Sequence, residues 1–137
     1  MIVAIDYGTR RIGMAKSDPK EEWAFAHKTL SGVKLQEQLL AELNALKPNT
    51  VVIGLPKNMD GTESEMCAVV REIAKQIESN GYPVVFWDER LTSRIVGRQD
   101  PRSLKKAISD KGKVDLMSAV LILQEYISSR RKTDESQ

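Results

Sequence analysis

The chain opens with an apolar run, Ile2 to Ile5, that Asp6 closes abruptly. Alternation and β-branched residues predict a strand over Ile2 to Asp6, a tight turn at Tyr7 to Arg10, and a second strand over Arg11 to Ser17 pairing antiparallel with the first. Pro19 to Glu22 interrupts the pattern. Trp23 to Leu30 then predicts a third strand, despite poor strand formers at Ala24, Ala26, His27 and Lys28. From Lys34 to Leu46 the period becomes helical: Leu35, Leu39, Leu43 and Leu46 share one face with Leu40 beside it, and Pro48 marks the end. Thr50 to Leu55 is a continuous apolar run stopped by Pro56, the pattern of a strand covered on both faces.

The turn-forming stretch KNMDGTES leads into a second helix, whose buried stripe is expected at Met66, Val69, Val70, Ile73 and Ile77, with Cys67 beside it. Pro83 to Trp87 predicts a fifth strand, followed at once by Asp88, Glu89 and Arg90. A short helical stretch is expected around Leu104 to Ile108, and a last helix from about Val114 to Ser129, with Leu116, Ala119, Val120, Leu123 and Ile127 on its apolar face. Residues 130–137 are charged, lack an apolar period and are expected to be disordered. Right-handed crossovers turn this order into an α/β fold: a mixed five-stranded sheet, the first three strands antiparallel, the fourth and fifth parallel to the first, flanked by helices. Residues 1–129 then form one domain.

With 137 residues, one domain can bury a sufficient core without staples. The lone Cys67 leaves no disulfide framework and no Cys-rich zinc site. No apolar run is long enough for a signal peptide or a membrane span, so a soluble, cytoplasmic protein is expected. The net charge of +2 conceals a segregation: residues 90–114 hold eight basic side chains against only Asp100 and Asp110. Such a segment suits a polyanionic partner such as nucleic acid, the alternative being a solvated loop that only aids solubility.

The acids sharpen this picture. Parallel first and fifth strands bring Asp6 and the Asp88-Glu89 pair to one sheet edge, the usual ligand site of such folds, and Asp115 joins them if the last helix starts there. Carboxylates gathered at one spot repel unless a divalent cation neutralises them, and hard oxygen donors favour Mg2+ or Mn2+. Two such ions, on the order of 4 Å apart, suit phosphodiester hydrolysis. Asp6, Glu89 and Asp115 are then the expected ligands and catalytic residues, Asp6 bridging. Whether Asp88 or Glu89 faces the metals turns on a one-residue change of strand face. Each acid also has a structural alternative: Asp115 favours a helix N-terminus, Asp88 satisfies turn amides, and Glu89 pairs with Arg90 or Arg94. His27 reads as structural rather than catalytic, and Trp23 and Trp87 as core or edge packing rather than base-stacking platforms.

Four blocks, "AIDYGTRRIGMAKSD", "VVIGLPKNMDGTESE", "DERLTS" and "KGKVDLMSAVLILQEYI", span nearly the whole chain. In this order they resemble the YqgF/RuvX family, described both as pre-16S rRNA nucleases and as Holliday junction resolvases. The resemblance implies a ribonuclease H-like fold, a bacterial cytoplasmic setting and metal-dependent cleavage in maturing the 5′ end of small-subunit ribosomal RNA. It places the family's acids at Asp6, Glu89 and Asp115. Candidates to hold the scissile strand are Thr9, Arg10 and Arg11 in the first turn, Asn58 after the fourth strand, and Arg90, Lys111 and Lys113 in the basic segment. Two stretches depart from the family pattern: "DPKEEWAFAH" puts the third strand's register in doubt, and "RIVGRQDPRSLKKAISD" lacks the acidic, alanine-containing helical start of relatives.

Structured RNA within a ribosomal precursor particle is thus the expected partner, with branched DNA as the alternative. A junction resolvase would favour a symmetric homodimer. Two further alternatives are a non-catalytic nucleic-acid-binding module and an ATP-binding protein, since the first block also resembles the phosphate-binding hairpin of actin-like and sugar kinases. Those clamp ATP between two domains, and this chain supplies one.

Overall fold

The computed structural model describes residues 1–88 except 59, and residues 111–135; the side chains of 111–115 and 131–135 lie outside that description. The elements follow the expected order: β1 Ile2–Tyr7, β2 Arg11–Ser17, β3 Ala24–Ser31, α1 Leu35–Leu46, β4 Thr50–Leu55, α2 Glu65–Ser79, β5 Val84–Asp88 and α3 Lys111–Glu135. The sheet order is β3-β2-β1-β4-β5. β1 pairs antiparallel with β2, and β2 with β3, while β1 and β4, and β4 and β5, are parallel. The mixed sheet read from the sequence is therefore the observed one. The helical stretch expected around Leu104 to Ile108 lies outside the described residues.

Hydrophobic alternation determines which element covers which face. Val3, Ile5, Val51 and Ile53 point to a core completed by Leu39 and Leu43 of α1 and by Val70, Ile73 and Ile77 of α2. Ile2, Ala4 and Val52 point the other way, onto Ala119, Ile122, Leu123 and Ile127 of α3. β1 is thus buried on both sides, and Ile2 through Ile5 have no exposed surface. The same holds for most of β4, as its continuous apolar run requires. Ser17, a buried polar residue, is satisfied by accepting the Ile2 N–H at 2.8 Å and donating to the Asp18 carbonyl at 2.9 Å.

Two expectations need correction. The buried stripe of α2 is Cys67, Val70, Ile73, Ala74 and Ile77, whereas Met66 is half-buried and Val69 is exposed. Cys67 and Ala74 fall on the same helical face as Val70, Ile73 and Ile77, whereas Val69 is about a quarter-turn away from its centre. The last helix continues through Glu135, so the charged stretch after Ser129 is helical rather than disordered to that point. Part of the reason is visible in Arg130, which pairs with Glu21 at 3.5 Å and stacks over the Tyr126 ring at 5.7 Å. Of the two tryptophans read as core or edge packing, Trp23, between β2 and the edge strand β3, is 58% exposed and takes the edge position. Trp87 packs edge-on to Tyr126, with centroids 6.4 Å apart.

His27 is structural, as its isolation suggested. It lies where the β2–β3 register shifts, and its Nε2 donates to Glu42 of α1 at 2.7 Å. Lys28 reaches the second oxygen of Glu42 at 3.2 Å, so one carboxylate fastens the edge strand to α1.

Candidate active site

β1 carries the chain from the buried centre of the sheet to its carboxyl edge, and Asp6 is the first residue there to regain exposure. The turn that follows is tight for a specific reason. The Gly8 N–H donates to the Arg11 carbonyl at 2.9 Å, and a Cβ on Gly8 would sit 2.7 Å from that carbonyl oxygen. Only glycine permits this approach. The turn presents exposed Thr9 and Arg10 and half-buried Arg11 around a small pocket of about 180 Å³, lined by Gly8 through Arg11. Thr9 also lines a larger cleft of about 400 Å³, whose other walls are Tyr7, Gly32 and the start of α1, Lys34 to Glu37.

The ladder registers locate the acids relative to one another. Ile5 pairs with Ile53 and Ile53 with Phe86, so Asp6 is level with Gly54 and Trp87. Side chains alternate along a strand, which gives Asp6 the face of Ala4, Val52 and Trp87, the face that α3 covers. Asp88 pairs with Leu55 and has the parity of Phe86, on the face covered by α1 and α2. Asp6 and Asp88 therefore share an edge but not a face.

Asp115 belongs to α3. The other end of that helix is tied to the start of β1, because Glu21 receives both Arg130 at 3.5 Å and the Met1 ammonium at 3.2 Å. The helix consequently runs back from the amino end of β1 toward the edge where Asp6 lies. Residue 115 precedes Ala119 by about one turn. Lys111 and Lys113 are in the first turn of the same helix, their side chains outside the described residues, as are Glu89 and Arg90 altogether. Among the described residues no group of three or more His, Cys, Asp or Glu side chains gathers at one point.

Asn58 follows β4, the strand beside β1, and so lies at this same edge. Its loop is closed by internal bonds. The Asn58 N–H donates to the Thr62 carbonyl at 2.8 Å, its side-chain amide to Thr62 Oγ1 at 3.0 Å, and Thr62 donates to Asp60 through both its N–H and its hydroxyl. Glu63 completes the loop by a two-pronged pair with Arg71, at 2.7 and 2.9 Å. The Arg71 guanidinium holds the Glu63 carboxyl below its ordinary range and itself lies over the Phe86 ring at 5.1 Å. This clamp is not legible in the chain, because its partners are eight residues apart across a loop and a helix. Nor are Tyr7 and Lys34 to Glu37 legible there as walls of a cleft.

Comparison with known proteins bears on the family and the fold. The family model described as "RuvX: Holliday junction resolvase" matches residues 1–129. The chain belongs to the RuvX family. Relatives in Sodalis glossinidius and Koribacter versatilis, both named as candidate pre-16S rRNA nucleases, are 40% and 37% identical to it; the alignments cover 92% and 94% of this chain and 92% and 87% of theirs. Among solved structures, Thermus thermophilus RuvC is similar with a TM-score of 0.60 at 12% identity, covering 96% of each chain. Fowlpox virus resolvase, solved with Holliday junction DNA, has a TM-score of 0.52 at 12% identity, covering 93% of this chain and 97% of that one. At such identities the likeness concerns the fold, and it gives this RuvX-family chain the ribonuclease H-like architecture.

Proposed function

We propose that the protein is a divalent-metal-dependent endonuclease that hydrolyses phosphodiester bonds in maturing the 5′ end of pre-16S rRNA. The observation that carries this reading is the position of Asp6: a carboxylate near the carboxyl end of the central strand, two residues before Gly8 of a tight turn bearing Thr9, Arg10 and Arg11. The donor set fits Mg2+ or Mn2+, because Asp6, Glu89 and Asp115 would offer only hard carboxylate oxygens. Asp88 has the parity of Phe86, on the face opposite Asp6, and that favours Glu89 over Asp88 as the ligand. When bound, such ions would activate the attacking water and stabilise charge on the leaving oxygen.

The chain's own residues bind and orient the substrate. Arg10 and Arg11 contact phosphates flanking the scissile bond, and the Thr9 hydroxyl donates to a phosphate oxygen. Asn58 approaches from the neighbouring strand, with its loop held by the Glu63–Arg71 pair. Arg90, Lys111 and Lys113 extend the contact along the strand. A cytoplasmic location and association with a ribosomal precursor particle follow from that substrate. Among the described residues no helix is long and apolar enough to cross a membrane.

The fold shared with junction resolvases favours a second reading, in which a homodimer cuts both strands of a four-way DNA junction. Cleavage assays on precursor rRNA and on a synthetic junction, each with Mg2+, Mn2+ or EDTA, separate the two. Metal-dependent cutting of the RNA alone supports the processing nuclease. Paired symmetric nicks in the junction favour the resolvase, and binding without cutting in every condition returns the binding module.

A further inference from the structure

The larger cleft is separate from the acidic face. Tyr7 is adjacent to Asp6 in β1 and has opposite parity, so its ring turns toward the α1 side, where it packs against the core and forms one wall of the cleft. Leu35, half-buried at the start of α1, adds a second apolar surface. Gln36 supplies an exposed amide with both donor and acceptor groups, and Lys34 and Glu37 bring one positive and one negative charge.

That lining discriminates between ligand groups. A phosphate would gain from Lys34 but be repelled by Glu37, and it would leave the apolar walls unused. A nucleobase is uncharged, presents a flat apolar face and has donors and acceptors at its edge, so it matches ring, leucine and amide together. The volume of about 400 Å³ is within the range of small-molecule sites. Thr9 lines both this cleft and the arginine-lined pocket of the turn, so the two are adjacent, with Thr9 between them. A strand whose phosphate is held at Arg10 can therefore send an adjacent base across Thr9 into the cleft.

We infer that the cleft between Tyr7 and the start of α1 is a subsite for one unpaired nucleobase of the substrate strand, next to the phosphate held by the β1–β2 turn. This rests on the nuclease reading and adds to it a requirement for a locally unpaired strand. A base still paired in a duplex has its edge occupied and its faces stacked, so it cannot enter.

The test is direct binding rather than cleavage. A fluorescein-labelled single-stranded oligoribonucleotide containing 2-aminopurine, and the same strand annealed to its complement, are titrated with wild type, with Gln36→Trp, which fills the cleft, and with Tyr7→Leu, which removes the ring but keeps apolar bulk. Thermal melts confirm that each variant is folded. The inference expects tighter binding of the unpaired strand, quenching of 2-aminopurine on binding, and a loss of about tenfold in that affinity in a folded variant, with duplex affinity unchanged. Equal affinity of wild type for both forms, or folded variants that bind the single strand as wild type does, overturns the subsite and leaves the nuclease reading standing. Failure of wild type to bind either form overturns both.

Discussion

Asp6 and Asp88 lie at the carboxyl ends of parallel strands, at one edge of the sheet, but project from opposite faces of it. Two acids with the same address in the topology are thereby separated by the pleat, and only Asp6 shares the α3 side. Asp6→Asn removes one negative donor and is expected to reduce metal-dependent cleavage by at least about a hundredfold, more than the loss of an outer partner of a metal ligand. Asp88→Asn is expected to retain most activity. Single-turnover rates for the two variants in Mg2+ check this, with melting temperatures to show that both fold. An Asp88 variant as inactive as the Asp6 variant would contradict the assignment by face.

The turn after Asp6 tests how closely the site depends on backbone geometry. A methyl group at residue 8 would meet the Arg11 carbonyl oxygen at 2.7 Å, and that atom belongs to the backbone and cannot swing aside. Gly8→Ala is therefore expected to open the turn and destabilise the protein by roughly 1–3 kcal/mol, the usual cost of forced overpacking. Urea denaturation measures the loss, and cleavage should fall further than the folded fraction alone explains, because Asp6 and Arg11 move together.

Much of this was legible in the chain, for identifiable reasons. Ile2 to Ile5, Thr50 to Leu55 and the leucines of α1 carry strong periodic signals because each packs on a continuous apolar surface, so strand order and direction followed from them. Asp6 stood out because it breaks such a signal. The stripe of α2 is less legible, because hydrophobicity singles out Val69 while the face that meets the core carries the small Cys67 and Ala74. The extension of α3 past Ser129 was hidden because an apolar period cannot report a contact such as Arg130 with Glu21. The cleft was also hidden: its walls come from two segments, and a Lys-Leu-Gln-Glu helix start resembles many surface turns.

Arg10 offers a measurement that separates phosphate contact from fold. It is exposed at the turn, so its removal should leave the core intact. If Arg10 neutralises one phosphate, Arg10→Ala weakens binding across sequences alike and lowers the slope of log affinity against log salt by about 0.7 for a single strand. Fluorescence anisotropy over a range of KCl concentrations gives that slope. An unchanged slope would remove Arg10 from the interface.

The Glu42 carboxylate makes a prediction about stability away from the active edge. The hydrogen bond from His27 lowers its pKa from the ordinary 4.5; partial burial opposes this, and the hydrogen bond and charge of Lys28 reinforce it. A carboxyl whose folded value lies below its unfolded value stabilises the fold above the unfolded value, and the contribution is lost as pH falls through the folded one. Glu42→Gln should therefore melt below wild type at neutral pH, with the gap closing as pH falls below the ordinary carboxylate range and through the lowered folded value. The partners explain why the effect is mechanical as well as electrostatic: His27 sits where the β2–β3 register shifts, and Glu42 is what fastens that strand to α1. Thermal melts of both proteins across the acid range decide the point. A gap that persists unchanged at low pH would mean that the His27–Glu42–Lys28 contact contributes through packing alone.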